Sequence, residues 1–287
     1  MKNIPVRLIQ TPMGDPNFGG SFSIRNIGDL LTGEDMVQTL HRHDYFYILA
    51  IKKGTGHHVI DFTPFEIHDH TVFFMRPGQV HQLTLNQGSQ GFVMQFKSDF
   101  YYPNDKASGQ ILQLASTKKF CQLDSESFKK LFELLSYIFQ EYTDKREGYQ
   151  EVIKANLGIF FIELVRHRKN DKMTSTGVNP YSQQRFEEFS ILLETHIVSH
   201  KQVSQYAEML HISTYQLNAI TKDILGKTCS ELINDYCILE SKRHLLATSS
   251  QINQIAATLG FEDVSYFIRF FKKHTGYSPE AFRQNFK

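Results

Sequence analysis

Near the C-terminal end, two sets of side chains about fifty residues apart have the types needed to read hydrogen-bonding edges: Thr214, Tyr215 and Asn218, then Ser265, Tyr266 and Arg269. Hydroxyl, amide and guanidinium groups bond to base edges in a major groove, and one guanidinium can meet O6 and N7 of a guanine together. Nearby cations suit phosphate, which fixes register without carrying sequence information: Lys222, Lys227 and Arg243 around the first set, Lys272 and Lys273 beside the second. A separate polar set lies far upstream, His41-Arg42-His43, then Tyr47, then Arg76-Pro77-Gly78-Gln79-Val80-His81, with Gly54 and Gly56 between. Imidazoles can hydrogen-bond, exchange protons or ligate metal.

The elements that position the first two sets come from a repeated pattern. One copy reads Val203-x-x-Tyr206-Ala207-x-x-Leu210, then His211-Ile212-Ser213, then apolar Leu217, Ile220 and Ile224 up to Gly226. The other reads Ile252-x-x-Ile255-Ala256-x-x-Leu259, then Gly260-Phe261-Glu262, then Phe267, Phe270 and Phe271 up to Gly276. Each is a short helix, a tight turn and a longer helix, the pattern of a helix-turn-helix. Ala207 and Ala256 let two helices approach closely where they cross. Gly260 supplies the positive φ of a tight turn, which His211 reaches only with strain. Ser213 and Asp263 are N-caps, and Gly226 and Gly276 suit the position after each long helix. Thr228-Cys229-Ser230-Glu231 is a capping box opening a long connecting helix to about Ala247, which sets the spacing of the two units.

Residues from about 185 to 287 resemble the DNA-binding domain of the AraC/XylS family of bacterial regulators, most closely along Ile255-Ala256-x-x-Leu259-Gly260-Phe261-Glu262-Asp263-x-Ser265-Tyr266-Phe267-x-Arg269-x-Phe271-Lys272-Lys273-x-Thr275-Gly276-Tyr277-Ser278-Pro279-x-x-Phe282-Arg283. The first unit departs from the family at Thr221, where an aromatic is usual, and at Asn218-Ala219, where longer polar chains are usual. The resemblance implies a transcriptional regulator binding double-stranded promoter DNA, with RNA polymerase as a possible further partner. It also places a DNA-facing residue at Arg269.

His41-x-His43 and Pro77-Gly78-x-x-His81 resemble the two motifs of a cupin barrel, a common sensor domain of such regulators. That resemblance implies a small-molecule effector in a pocket near His41, His43, Tyr47 and His81, amid Phe46, Phe62, Phe65, Phe73 and Phe74. Metal cupins add a glutamate to three histidines. Here Tyr47 and Ile48 stand in its place, and the usual asparagine after His81 is missing, so hydrogen-bonding histidines with no metal and no cofactor are expected. The alternative is a cupin-type metal-dependent enzyme with an accessory helical domain, which leaves the C-terminal pattern unexplained.

Composition sets the remaining bounds. A net charge of +1 gives no global reason to expect nucleic acid, and charges are balanced even in the C-terminal part. Cys121, Cys229 and Cys237 lack Cys-x-x-Cys spacing, which disfavours a disulfide framework or a zinc site and suggests buried reduced thiols. No leader-like or membrane-length apolar run occurs, so a cytoplasmic protein without membrane contact is expected.

The expected fold is α+β: a cupin-like β-barrel with flanking helices, then an all-α domain of two helix-turn-helix units joined by a long helix. Strands are expected around Tyr45–Ile51, Val72–Met75 and Gly91–Phe96, and amphipathic helices near 125–142 and 150–167. Those helices are expected to carry a homodimer contact, because their apolar faces look too rich for the barrel to cover. The domains are expected at 1–105 (sensor), 106–168 (helical dimerisation region), 169–182 (linker) and 183–287 (DNA-binding domain).

Overall fold

The computed structural model describes residues 5–9, 20–101, 106–175 and 179–286. By contacts the chain divides into two units, one built on Pro5–Asp171 and one on Lys172–Lys287. The expected boundary at 105 and part of the expected linker, 176–178, lie outside the described residues.

The first unit opens with β1 (Val6–Arg7), β2 (Phe22–Asn26) and α1 (Ile27–Leu31). There follow β3 (Met36–His43), β4 (Phe46–Lys53), β5 (Gly56–Ile60), β6 (Thr63–Ile67), β7 (Thr71–Met75), β8 (Val80–Leu85) and β9 (Gln90–Phe96). Helices α2 (Ser98–Tyr101) and α3 (Lys106–Ala115), strand β10 (Phe120–Gln122), α4 (Ser125–Asp144) and α5 (Tyr149–Ser175) complete it.

The strands form two five-stranded sheets, ordered β1-β3-β8-β5-β6 and β10-β7-β4-β9-β2. The expected cupin-like barrel is therefore not what forms. Among the described residues no ladder joins one sheet to the other, so β1, β6, β10 and β2 are edges, and the parallel pairing of β1 with β3 makes the first sheet mixed. Side-chain packing, rather than a closed hydrogen-bond circuit, joins the sheets.

Parity along β4 shows how. Tyr47, Leu49 and Ile51 enter the core between the sheets, while Phe46, Ile48 and Ala50 enter a second core on the opposite face. That outer core is closed by α4 and α5 through Phe128, Leu131, Leu135, Ile138, Leu157, Phe160, Phe161 and Leu164. Much of the apolar face of each helix expected to make a homodimer contact is thus buried within the chain, with Tyr137 of α4 and Ile159 of α5 left exposed. A sheet buried on both faces reads as unbroken apolar runs rather than alternation, which is why β4, β7 and β9 are the strands most visible in sequence.

The second unit is helical: α6 (Pro180–His196), α7 (Val203–Met209), α8 (Thr214–Leu225), α9 (Cys229–Ala247), α10 (Ile252–Thr258), α11 (Val264–Thr275) and α12 (Pro279–Phe286). Phe189 and Leu193 of α6, Tyr206 and Ala207 of α7, Leu217 of α8, and Cys229, Ile233 and Cys237 of α9 share one core. All three cysteines are free and buried, and burial pushes the thiols of Cys229 and Cys237 up to about 12 and about 11, so both stay protonated. Arg283 is buried in α12, where it donates to Leu245 O at 3.0 Å and Ser250 O at 2.7 Å, tying the last helix to the end of α9. No helix among the described residues is long and apolar enough to cross a membrane.

Candidate functional site

Each long helix of the repeat is started and stopped by its own sequence. Ser213 accepts from Gln216 N while the Gln216 side chain accepts from Ser213 N at 2.9 Å, and Asp263 accepts from Ser265 N at 2.7 Å. Gly226 and Gly276 follow with left-handed φ of 69° and 81°. Both turns use positive φ, 54° at His211 and 72° at Gly260. Ala207 and Ala256 are buried at the crossings, as the repeat implies.

The described contacts also join the two helix-turn-helix copies to each other. A Cβ on Gly260 would fall 1.8 Å from Val198 O, so the turn of the second unit lies directly against the α6–α7 loop of the first. Lys201 in that loop donates to Val198 O at 2.7 Å and to Gly260 O at 3.0 Å, with its ammonium over the Phe261 ring. Burial lowers the pKa of Lys201. Phe270 of α11 packs against the core of the first unit. The spacing of α8 and α11 is thus fixed by α9 and by this second contact.

On that frame the candidate base-reading residues separate. Thr214, Tyr215, Ser265, Tyr266 and Arg269 are exposed, Tyr215 to 82% and Tyr266 to 54%, so neither tyrosine is sunk against its turn. Arg269 lies 3.8 Å from Asp263 in a weak surface pair. Asn218 is half-buried and its amide is occupied, donating to Thr214 O at 2.9 Å and accepting from Cys229 N at 3.0 Å. Among the candidate phosphate contacts, Lys222, Lys272 and Lys273 are exposed with no ion pair among the described residues. Lys227 pairs with Asp235 at 2.7 Å, and Arg243, half-buried, pairs with Glu240.

In the first unit, strand register gathers the histidines. His41 and His43 share one face of β3, and His81 of β8 stands directly opposite His41. His81 Nε2 lies 2.9 Å from His41 Nε2 and 2.8 Å from His43 Nε2. A fourth ring, His58 of β5, meets His81 Nδ1 through its Nε2 at 2.8 Å. Sequence reading missed His58, although Gly56, His58 and Ile60 share a strand face, and Ile60 pairs with His81. All four are buried. Desolvation lowers His41 to about 4, and His43 and His58 to about 3, and holds His81 well below its ordinary value, so the rings are neutral at pH 7.

His41, His43 and Tyr47 also line a cavity of about 230 Å³ with Arg7, Arg25, Gln38, Tyr45, Gln95 and the apolar Leu30, Met36 and Val93, while His81 stands behind. Of the aromatic neighbours expected around it, Tyr47 alone lines it. Phe46 and Phe74 point into the outer core, and Phe65 and Phe73 pack between the sheets away from the lining. The Tyr47 hydroxyl and Gln95 Oε1 are buried without a hydrogen-bond partner among the described residues.

Residues 33–157 match the family described as an AraC-like ligand binding domain, and residues 206–285 match the family described as a helix-turn-helix domain. The chain is similar to the HTH-type transcriptional activator RhaS of Escherichia fergusonii, 22% identical over 247 residues covering 85% of this chain and 87% of that one. Its C-terminal part is 37% identical over 78 residues to the bifunctional transcriptional activator/DNA repair enzyme AdaA of Bacillus subtilis, covering 27% of this chain and 37% of that one. Among solved structures, ToxT of Vibrio cholerae aligns over 92% of this chain and 95% of its own at 18% identity, with a TM-score of 0.41.

The chain thus carries an AraC-like ligand-binding domain followed by a tandem helix-turn-helix domain. The chain is a DNA-binding transcriptional regulator with a ligand-binding N-terminal domain.

Proposed function

We propose that this regulator reads its operator chiefly through α11, with Arg269 on a base edge, Ser265 and Tyr266 beside it, and Lys272 and Lys273 on phosphates. Thr214 and Tyr215 of α8 read a neighbouring groove, and Lys222 holds the backbone there. The observation that carries this reading is the exposure of these side chains on two capped helices locked to one frame, while Asn218 and Arg243 are half-buried and bonded within the protein and Lys227 is held in a surface pair with Asp235. Asn218 is assigned to positioning α8 against α9 rather than to base contact.

The cavity beside His41, His43 and Tyr47 is proposed as the effector site. Its two arginines, two glutamines and two tyrosines suit a small polar molecule carrying negative charge, and do not suit a long apolar one. The test is to map the sites the protein occupies on its genome, then measure duplex binding of the full chain and of residues 179–287 on the recovered operator. The fragment contains α6–α12 with their caps and cores, so it should keep the base preference at reduced affinity. A folded fragment with a different preferred site would overturn the assignment of base reading to α8 and α11.

A further inference from the structure

We propose that the Nε2 atoms of His41, His43 and His81 bind one divalent transition-metal ion at the inner end of the effector cavity, with His58 orienting His81. The proposal rests on that cavity being the effector site and adds a metal to it. Among the described residues this is the one group of three or more ligating side chains whose donor atoms all converge within 4.8 Å.

Proton counting shows why hydrogen bonds alone leave the group unsatisfied. His41 Nδ1 lies 2.7 Å from Thr39 O, and a carbonyl only accepts, so the His41 proton is on Nδ1 and its Nε2 presents a lone pair. One proton lies between His58 Nε2 and His81 Nδ1, which leaves two cases. If His81 donates to His58, then His81 Nε2 faces His41 Nε2 lone pair to lone pair, and the only proton near them is one from His43. If His58 donates instead, His81 Nε2–H can satisfy His41. The nearby His43 must then either oppose a second N–H to it or leave its own Nδ1–H buried without a partner, as the Nδ1 atoms of His43 and His58 are among the described residues. Only the last arrangement avoids a contact between two lone pairs or two N–H groups among the three Nε2 atoms, and it leaves His43 Nδ1–H without a partner among the described residues. A metal ion would accept all three Nε2 lone pairs at once and remove the contact between like groups, while His43 Nδ1–H and His58 Nδ1–H stay buried without a partner among the described residues.

The surroundings fit this assignment. A ligating histidine commonly donates its other N–H to a fixed partner, and His41 has Thr39 O and His81 has His58 Nε2 in that place. On a tetrahedral ion with bonds of about 2.0–2.1 Å, ligand nitrogens lie about 3.3 Å apart, so the 2.8 and 2.9 Å separations from His81 would open by about half an ångström, within a set whose donor atoms all lie within 4.8 Å. Three imidazoles with no carboxylate or thiolate select zinc, copper, nickel, cobalt or ferrous iron over magnesium and calcium. The cavity lined by His41 and His43 leaves room for a further ligand on its open side.

The test uses the full chain stripped by chelator and reloaded with Co²⁺, reading stoichiometry by elemental analysis and coordination by the visible ligand-field bands. We expect one Co²⁺ per chain, displaced by Zn²⁺ and untouched by Mg²⁺, with a rise in melting temperature on loading. His43→Ala and His81→Ala should abolish loading, and His58→Gln should keep the stoichiometry while weakening affinity about 10–100-fold. If a variant melts without cooperativity, wild-type loading at neutral pH in competition with a chelator of known affinity decides. Absence of stoichiometric loading in the folded wild type, or loading unchanged in folded His43→Ala and His81→Ala, overturns the proposal. Operator affinity is measured in the same samples with and without metal. No metal but a response to an organic anion would remove the metal and keep the effector site. Metal loading with no change under metal or any cavity ligand would keep the metal and remove the effector reading.

Discussion

The two helix-turn-helix units reach the same backbone by different residues. Counted from their N-caps, Ser213 and Asp263, the long helices correspond at an interval of fifty, and the closing glycines 226 and 276 obey it. The short helices correspond at forty-nine, because the second turn, Gly260-Phe261-Glu262-Asp263, has one residue more than His211-Ile212-Ser213. Ala219 is then the counterpart of Arg269, Gln216 of Tyr266 and Thr221 of Phe271. Gln216 is occupied by its capping box, and Ala219 offers no hydrogen bond. Where the second unit presents a guanidinium, the first presents a methyl. On the proposed reading, α11 then carries more of the discrimination between base pairs than α8, which keeps Thr214 and Tyr215 for that task.

The largest effect that would break this comparison is expected at the turn of the second unit. Gly260→Ala puts a Cβ against Val198 O in a left-handed backbone, combining strain with overpacking, and should cost about 2–4 kcal/mol in chemical denaturation of the second unit. Operator affinity should fall with it, because the turn also fixes how the two units dock. A loss below about 1 kcal/mol would show that the α6–α7 loop yields and that the docking is soft.

Next comes reading itself. Arg269→Ala should cost about 1–3 kcal/mol on the operator and relax preference at one base pair, whereas Lys272→Ala should weaken binding to all duplexes and lower the salt slope by about one. Equal losses for Arg269→Ala on specific and random duplex would move Arg269 to the phosphates. Asn218→Ala sharpens the contrast between the helices. Its amide bridges Thr214 O and Cys229 N, so the change should cost about 1 kcal/mol of stability and leave base preference unaltered. A shifted preference, measured by selection from random duplexes, would restore Asn218 as a reader.

How much of this was legible follows from burial. The helix-turn-helix pattern is local: caps, crossing alanines and apolar spacing all lie within one short stretch of chain, and each takes its expected place. In the first unit β4, β7 and β9 were visible because both faces are buried, while β3, β5 and β8 carry polar residues such as His57 and Gln82 on an exposed face and show weak apolar signal. Barrel closure was inferred from two short histidine motifs, and such motifs do not record which strand edges pair. The polar stretch after Arg166 looked like an irregular linker, yet α5 runs on to Ser175, since Arg, Lys, Asn and Asp tolerate a helix. His58 was missed because strand pairing, not sequence proximity, brings it to His81.

The smallest expected effect is at His211, and its sign tests the comparison best. His211 stands where the second unit has Gly260, at φ 54°, with an exposed side chain. A left-handed backbone costs a non-glycine residue roughly 1–2 kcal/mol, and glycine removes that cost. Glycine also raises the entropy of the unfolded chain, which takes back about 0.4–1 kcal/mol. His211→Gly should therefore stabilise the helical domain by a few tenths to about 1 kcal/mol, opposite in sign to Gly260→Ala, with operator affinity unchanged. Thermal melts of the two variants beside the wild type measure both signs in one experiment. If His211→Gly destabilises instead, the histidine holds a contact worth more than its strain, and the first turn was selected for that side chain rather than merely tolerating it.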